Sequence, residues 1–153
     1  MISTDPIKMY KNGKYNCAQA TVATILHDFN DKEEDTITHT FTLLGNGVTD
    51  TGTCGILLGS LAALGKILTD QGLEGDQLEM AYKEVTNEFI LKFKSYECHK
   101  ILGVEEDVQV NYSSKEVISS CSPRMEEMVS EVEKLIEFRT NPTIPIMKRF
   151  SFL

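Results

Sequence analysis

The sequence predicts an all-α protein, a compact multi-helix bundle formed by a single domain. Apolar residues recur three and four positions apart along most of the chain, which is the period of a helix. Only residues 108–112 alternate between apolar and polar, and a lone strand there would have no partner strand. The length of 153 residues suits one domain with one hydrophobic core.

The periodic stretches predict five helices separated by polar turns. The first three cover residues 14–29, 35–44 and 54–69. The fourth and fifth carry long apolar stripes, formed by Leu78, Tyr82, Val85, Phe89 and Phe93 and by Met125, Met128, Val129, Val132, Leu135 and Ile136. Two prolines close the helical part of the chain. We therefore expect a domain over residues 1–140 and a C-terminal tail over residues 141–153.

The overall charge excludes some classes of partner. With 15 Lys and Arg against 23 Asp and Glu, the net charge is -8, which argues against nucleic acid or an anionic membrane surface. The N-terminal residues lack the apolar stretch of a signal peptide. The longest uncharged apolar run, residues 51–65, is shorter than the roughly 20 residues of a membrane span. We expect a cytoplasmic protein without a membrane span, whose cysteines stay reduced unless they do redox chemistry.

The four cysteines lie far apart in the sequence, at Cys17, Cys54, Cys98 and Cys121. No two of them form a CxxC pair, so neither a zinc knuckle nor a thioredoxin-like motif is present. Cys17 is expected in the first turn of its helix, and Cys98 in the turn that follows the fourth helix. Cysteines spaced in this way can meet only if four different elements bring them together.

Two cysteines lie beside predicted helix starts. Thr53 is a good N-cap residue directly before Cys54. Ser122 followed by Pro123 is typical of an N-cap and a first helical position, and these residues directly follow Cys121. The N-terminus of a helix carries partial positive charge and unpaired N–H groups, which lower the pKa of a thiol and stabilise its thiolate. We therefore expect two or three of the four thiols to stand at helix N-termini, where their pKa is lowered.

Glycines are concentrated around Cys54. Gly52 and the other glycines before Cys54 allow the backbone to pass close to whatever the sulfur binds, with N–H groups free to point at it. Gly55, Gly59 and Ala63 recur every four residues, so a neighbouring helix can approach this face closely. No phosphate-binding loop motif fits these glycines.

The cysteine motifs resemble those of a known family. The segments YNCAQA (residues 15–20), GTCGILLGSLAALG (52–65) and SYECHKILG (95–103), with a final Cys121, resemble the C-GCAxxG-C-C family, which is described as redox-active. The resemblance covers residues 15–121 in order. It implies that the four cysteines form one redox or metal site. Related modules fused to haem-containing electron-transfer proteins are thought to hold an iron–sulfur centre.

We interpret the four cysteines as ligands of one iron–sulfur cluster at one end of the bundle, since four thiolates fit the ligand count of such a cluster. The glycine-rich loop of residues 45–52 is expected to cover that end, with Gly52 and Gly55 beside the cofactor. The expected activity is electron transfer to a redox partner protein rather than turnover of a small substrate. An air-exposed preparation is expected to lose an exposed cluster.

Three alternatives remain open at this stage. The site could hold zinc, although four-thiolate zinc sites usually come from short CxxC pairs. Two of the cysteines could instead exchange a disulfide, which requires Cα atoms within about 7 Å. The chain could also be a non-catalytic helical binding module with core cysteines. A homodimer is compatible with each of these interpretations.

His99, beside Cys98, is a candidate ligand or proton partner, but an exposed histidine in a helix turn is the simpler interpretation. Ile56 stands where the glycine-containing motif of the family is expected to carry alanine. We expect its larger side chain to change the close approach of the neighbouring helix near Cys54.

Overall fold

The computed structural model describes residues 5–150, and these residues form eight α-helices. The helices are α1 (Pro6–Lys11), α2 (Cys17–Asp28), α3 (Glu34–Thr40), α4 (Gly55–Asp70), α5 (Asp76–Phe93), α6 (Cys98–Leu102), α7 (Lys115–Thr140) and α8 (Ile146–Arg149). Within the described residues, extended pairing is limited to one antiparallel bridge between Thr53 and Glu97. The prediction of an all-α fold is therefore confirmed. None of the helices in this part of the chain has the length and apolarity needed to cross a bilayer.

The five predicted helices correspond to helices of the structure and differ from them at their ends, whereas the three short helices α1, α6 and α8 were not predicted. The predicted helices at residues 14–29 and 54–69 correspond to α2 and α4, and the polar turn before α5 is where the sequence places it. The helix predicted at residues 35–44 is shorter in the structure, where it is α3. The sequence analysis missed α1, although Asp5 Oδ1 accepts a hydrogen bond from the Ile7 N–H (3.1 Å) in the manner of an N-cap.

The last long helix begins earlier than predicted. It starts after Ser114, whose Oγ accepts a hydrogen bond from the Val117 N–H at 3.3 Å. Cys121 therefore lies in the second turn of a continuous helix, and the prediction that it stands at a helix N-terminus is wrong. Pro123 lies inside the helix, where proline costs about 3 kcal/mol. The helix continues through it because the long apolar stripe of α7 is buried on both the α2 and the α4 side of the core.

α2 is the central helix of the bundle and packs against α1, α3, α4 and α7. Its residues 17–23 are all buried, so it is enclosed on every face near its N-terminus. The largest fully buried apolar side chains of the core are Ile25, Leu26, Ile56, Leu68, Phe89, Met125, Met128 and Ile136. Ile56, the departure from the family element, is therefore a core residue.

The small-residue face of α4 lies directly against α2. A Cβ added to Gly59 would lie 2.6 Å from the Ala18 carbonyl oxygen and 2.9 Å from the Thr21 Cβ. A Cβ added to Gly55 would overlap the Sγ atom of Cys17. The predicted close approach of a neighbouring helix is confirmed, and it brings Cys17 against the first residue of α4.

The chain after α7 folds back on the body of the protein. The Arg139 guanidinium forms an ion pair with Glu84 and lies 4.9 Å from the centre of the Phe150 ring. The Arg149 side chain donates a hydrogen bond to the Arg139 carbonyl at 3.0 Å. The last part of the predicted tail, residues 151–153, lies outside the described residues.

Replacing Gly59 with alanine should destabilise the protein, since the added methyl group has to push two helix backbones apart. We expect Gly59→Ala to lower the free energy of unfolding by about 1–3 kcal/mol, measured by urea denaturation. Gly65→Ala is the matched control on the same helix, because a Cβ there meets no atom within 4 Å. This control should stabilise the protein by about 0.5–1 kcal/mol. Equal effects of the two substitutions would contradict the close packing.

Candidate functional site

A short extended pairing positions Cys54 and Cys98. The Cys54 N–H donates to the Tyr96 carbonyl (2.8 Å), and the Cys98 N–H donates to the Gly52 carbonyl (2.9 Å). Because side chains alternate along extended backbone, Cys54 and Cys98 project from the same face of this pair. A Cβ on Gly52 would overlap the Gly47 carbonyl oxygen, so glycine is required for the loop to close here. The pairing joins the starts of α4 and α6.

Cys17 is positioned by the N-cap of α2. The Asn16 Oδ1 accepts a hydrogen bond from the Gln19 N–H at 2.8 Å, and the Asn16 N–H donates to Gln19 Oε1 at 3.1 Å. The Asn16 side chain also donates to the Phe41 carbonyl at 2.9 Å, which ties the start of α2 to the end of α3. The Cys17 sulfur is thereby held against Gly55 of α4.

The glycine-rich loop of residues 45–52 lies directly over these cysteines. A Cβ on Gly47 would lie 2.5 Å from the Cys98 Cβ. The backbone N–H of Asn46 faces the Cys17 sulfur and favours its thiolate form. The loop therefore contacts both Cys98 and Cys17 and separates them from solvent.

The structure brings all four cysteines together at one end of the bundle. Burial raises the pKa of the Cys54, Cys98 and Cys121 thiols, and the negative charge that Cys17 carries when it is ionised raises each of these pKa values further. Such coupling requires the four sulfurs to lie close to one another. All four are free thiols, of which Cys17, Cys54 and Cys98 are buried and Cys121 is half-buried. We call this group the four-thiol centre.

The thiol pKa values are raised, whereas the placement of cysteines at helix N-termini predicts lowered values. Burial makes the largest contribution to the pKa of each of the four cysteines. Burial raises the pKa of Cys98 to about 11 and moves the pKa of the other three thiols upward as well. The N–H groups of Asn46 and Gly55 act in the opposite direction on Cys17, but with a smaller effect. The predicted lowering of thiol pKa is therefore wrong, and the thiols are protonated at neutral pH.

Two tyrosines that the sequence analysis did not single out belong to this site. The Tyr112 hydroxyl lies 3.7 Å from the Cys98 sulfur. Tyr10 is buried beside Cys121, and a hydrogen bond between the two side chains favours the Cys121 thiolate. Burial raises the pKa of both phenols, so both are neutral hydrogen-bonding groups. No sequence motif marks them, since their role depends on the packing of α1 and of the loop before α7.

His99 is buried, with 4% of its surface exposed, so the expectation of an exposed histidine is wrong. Its Nε2 lies 3.6 Å from Glu106 Oε1, while its Nδ1 is buried without a hydrogen-bond partner. His99 is buried because the short helix α6 directs its side chain toward the protein interior.

The side chains in residues 5–150 contain no group of three or more His, Cys, Asp or Glu that could hold a metal ion. The four thiols are near enough to influence one another's charge.

Fold and site together define an all-α protein with a buried centre of four cysteine thiols. A family model described as "Putative redox-active protein (C_GCAxxG_C_C)" matches residues 15–135, a span that contains all four cysteines. The chain belongs to this family. No curated protein and no solved structure matches the chain.

The raised thiol pKa values make the stability of the reduced, metal-free protein depend on pH. The folded state keeps the Cys98 thiol protonated up to a pKa of about 11, whereas an unfolded cysteine ionises near a pKa of about 8.5. Stability is therefore fully present below about pH 8.5 and decreases as pH rises above it. At about pH 9.5 the loss is about 1.4 kcal/mol for the Cys98 thiol.

Cys98→Ala tests this dependence. Between about pH 8 and 9.5, we expect the free energy of unfolding of the variant to fall by about 1.2 kcal/mol less than that of the unaltered protein. Urea denaturation at a series of pH values, under reducing and chelating conditions, measures the difference. An unchanged slope would contradict a protonated Cys98 in the folded state.

Proposed function

We propose that the protein is a redox protein whose four cysteines hold an iron–sulfur cluster and exchange electrons with a partner protein. The observation that carries the proposal is the convergence of four thiols, three of them buried, in a centre of which the loop of residues 45–52 covers Cys17 and Cys98. Membership of a family described as redox-active supports the redox part of the proposal. The donor set supports the cluster.

The chemistry of the donors fits an iron–sulfur cluster. Four thiolates are the usual ligands of two-iron and four-iron clusters. The N–H groups of Asn46 and Gly55, which face the Cys17 sulfur, are donors of the kind that stabilise cluster sulfurs. A cluster distributes its protein ligands over several irons, so its cysteines need not meet at one point. Four-thiolate zinc sites usually come from short CxxC pairs, which this sequence lacks, so the donor set supports a cluster over a single zinc ion.

Charge also favours a cofactor over an empty thiol pocket. Burial, and to a lesser extent the repulsion between neighbouring thiolates, keeps the free thiols protonated. Positive iron would offset that repulsion, and binding would release the thiol protons. When bound, the cluster supplies one-electron chemistry. The protein would keep Cys17, Cys54 and Cys98 away from water, since each is at most 7% exposed. Because binding releases thiol protons, the cluster would bind more tightly at neutral than at acidic pH.

A second candidate function is thiol–disulfide exchange, which the four free thiols favour. Two thiols of the centre would form a disulfide while the disulfide of a partner protein breaks, and their two protons would pass to the two released thiolates. The two electrons that reduce the partner's disulfide would come from the two cysteines of the centre that become oxidised. The raised pKa values weigh against rapid exchange, because the thiolate is the attacking species. This function therefore ranks below the cluster.

Purification without oxygen, followed by iron and acid-labile sulfide analysis, tests the cluster. We expect iron and sulfide in comparable amounts and a visible absorption that bleaches on reduction. Changing any one of Cys17, Cys54, Cys98 or Cys121 to serine should lower the iron content several-fold, because each thiolate is a ligand. Ser122→Ala is the matched control, since the buried Ser122 hydroxyl donates only within its own helix, to Ile118 at 2.7 Å. This control should keep its full iron content.

The other outcomes separate the alternatives. Zinc without sulfide would replace the redox proposal with a structural site. Absence of metal, together with two cysteines that pair reversibly and two that are dispensable, would establish disulfide exchange instead. Absence of metal and four unreactive thiols would leave a helical binding module with core cysteines.

A further inference from the structure

We propose that the groove above the four-thiol centre is the docking site for a redox partner protein with a basic contact surface that surrounds an apolar patch. This inference rests on the proposed function, because electrons from a buried centre have to leave through a nearby surface. It names the surface and the chemistry of the partner that fits it.

The groove lies between the loop of residues 45–52 and the segment of residues 109–112, and encloses about 380 Å³. Tyr112 lines the groove and also contacts the Cys98 sulfur through its hydroxyl, at 3.7 Å. Asn46 lines it as well, and its N–H faces the Cys17 sulfur. The groove is thus separated from two thiols by single residues.

Apolar side chains around the groove are exposed to solvent. Leu43 is 84% exposed and Val48 is 55% exposed, and both line the groove. Leu44 and Val108, which flank the lining segments in the sequence, are 38% and 48% exposed. Groups of exposed apolar residues mark interaction surfaces on soluble proteins. Their position over the centre indicates that a partner covers this face.

The backbone at Val48 gives independent support. Val48 has a φ of +62°, and its neighbours Asn46 and Gly47 also have positive φ. A β-branched residue in this region is strained, at a cost of order 1–3 kcal/mol. The Val48 side chain is more than half exposed, so burial in the core of this chain does not offset that cost. Contact with a partner accounts for an apolar, strained residue at this position.

Charge around the groove selects a basic partner. Asp50 lines the groove, and the acidic segment Glu105, Glu106 and Asp107 immediately precedes Val108 and the lining residues. The cation beside that segment, Lys100, is paired with Glu97. A second copy of this chain would bring its own net charge of -8 and be repelled, whereas a basic protein would be steered to this face.

Cytochrome c, a small basic haem protein with lysines around an exposed apolar haem edge, is a suitable probe. We expect ¹⁵N NMR signals of residues 45–52 and 108–112 to shift or broaden when ferric cytochrome c is added to the anaerobically purified protein at low salt. Binding should weaken at least tenfold from about 20 mM to about 200 mM salt. Cytochrome c with succinylated lysines should not bind, and Glu105→Gln combined with Asp107→Asn should weaken binding of the unmodified probe.

Single substitutions test the apolar part of the surface. Leu43→Asn and Val48→Asn should each weaken binding at least about threefold. Val48→Asn should at the same time preserve or raise the melting temperature, because asparagine tolerates positive φ. Met147→Asn is the matched control, since Met147 is 81% exposed. Met147 lies in α8, which is hydrogen-bonded to Arg139 near the C-terminus of α7. Arg139 is about 27 Å along α7 from Cys121, so Met147 is far from the groove. This control should bind like the unaltered protein.

Several results would overturn the docking site. These are a lack of binding at low salt, signal changes centred on Met147, equal binding of succinylated cytochrome c, or an equal effect of Met147→Asn and Leu43→Asn. The test is separable from the proposed function. Groove-specific binding by a protein that lacks iron and sulfide would uphold the docking surface and reject the cluster, whereas a cluster with binding elsewhere would reject the docking surface alone.

Discussion

The close approach of α2 and α4 is the contact on which the arrangement of the four-thiol centre depends. Gly55 and Gly59 leave no space for a side chain, so the backbones of the two helices meet directly. The same contact presses the Cys17 sulfur against the first residue of α4 and beside Cys54. The pairing of the segment before α4 with the segment before α6 then adds Cys98. Wider spacing of α2 and α4 would separate the cysteine of one helix from those of the others.

Burial and charge oppose each other in this centre. The helix starts supply N–H groups that favour thiolates, as at Cys17, but the apolar surroundings and the neighbouring sulfurs favour thiols. A site of this kind is stable while its cysteines are protonated, and it gains most from a cation that takes the place of those protons. The neutral phenols of Tyr10 and Tyr112 add hydrogen-bonding groups to the sulfurs without adding charge.

The loop of residues 45–52 combines two tasks that explain its unusual backbone. It has to pass close enough to cover Cys98, which requires glycine at Gly47, and it also presents Val48 to solvent. Consecutive positive φ angles let the chain turn sharply in this small space. The cost in strain is placed directly beside the four-thiol centre, as is usual for backbone strain at functional sites.

Periodicity by itself determined the helical class, the extent of α2 and α4 and the small-residue face of α4, because these depend on neighbours within one or two turns. The order of the cysteine motifs determined the family. Tertiary structure decided the rest. Packing carried α7 through Pro123 and moved Cys121 away from a helix start, and it buried His99. It also raised the thiol pKa values, since the dielectric environment of a sulfur is set by residues distant in sequence, which no local pattern records.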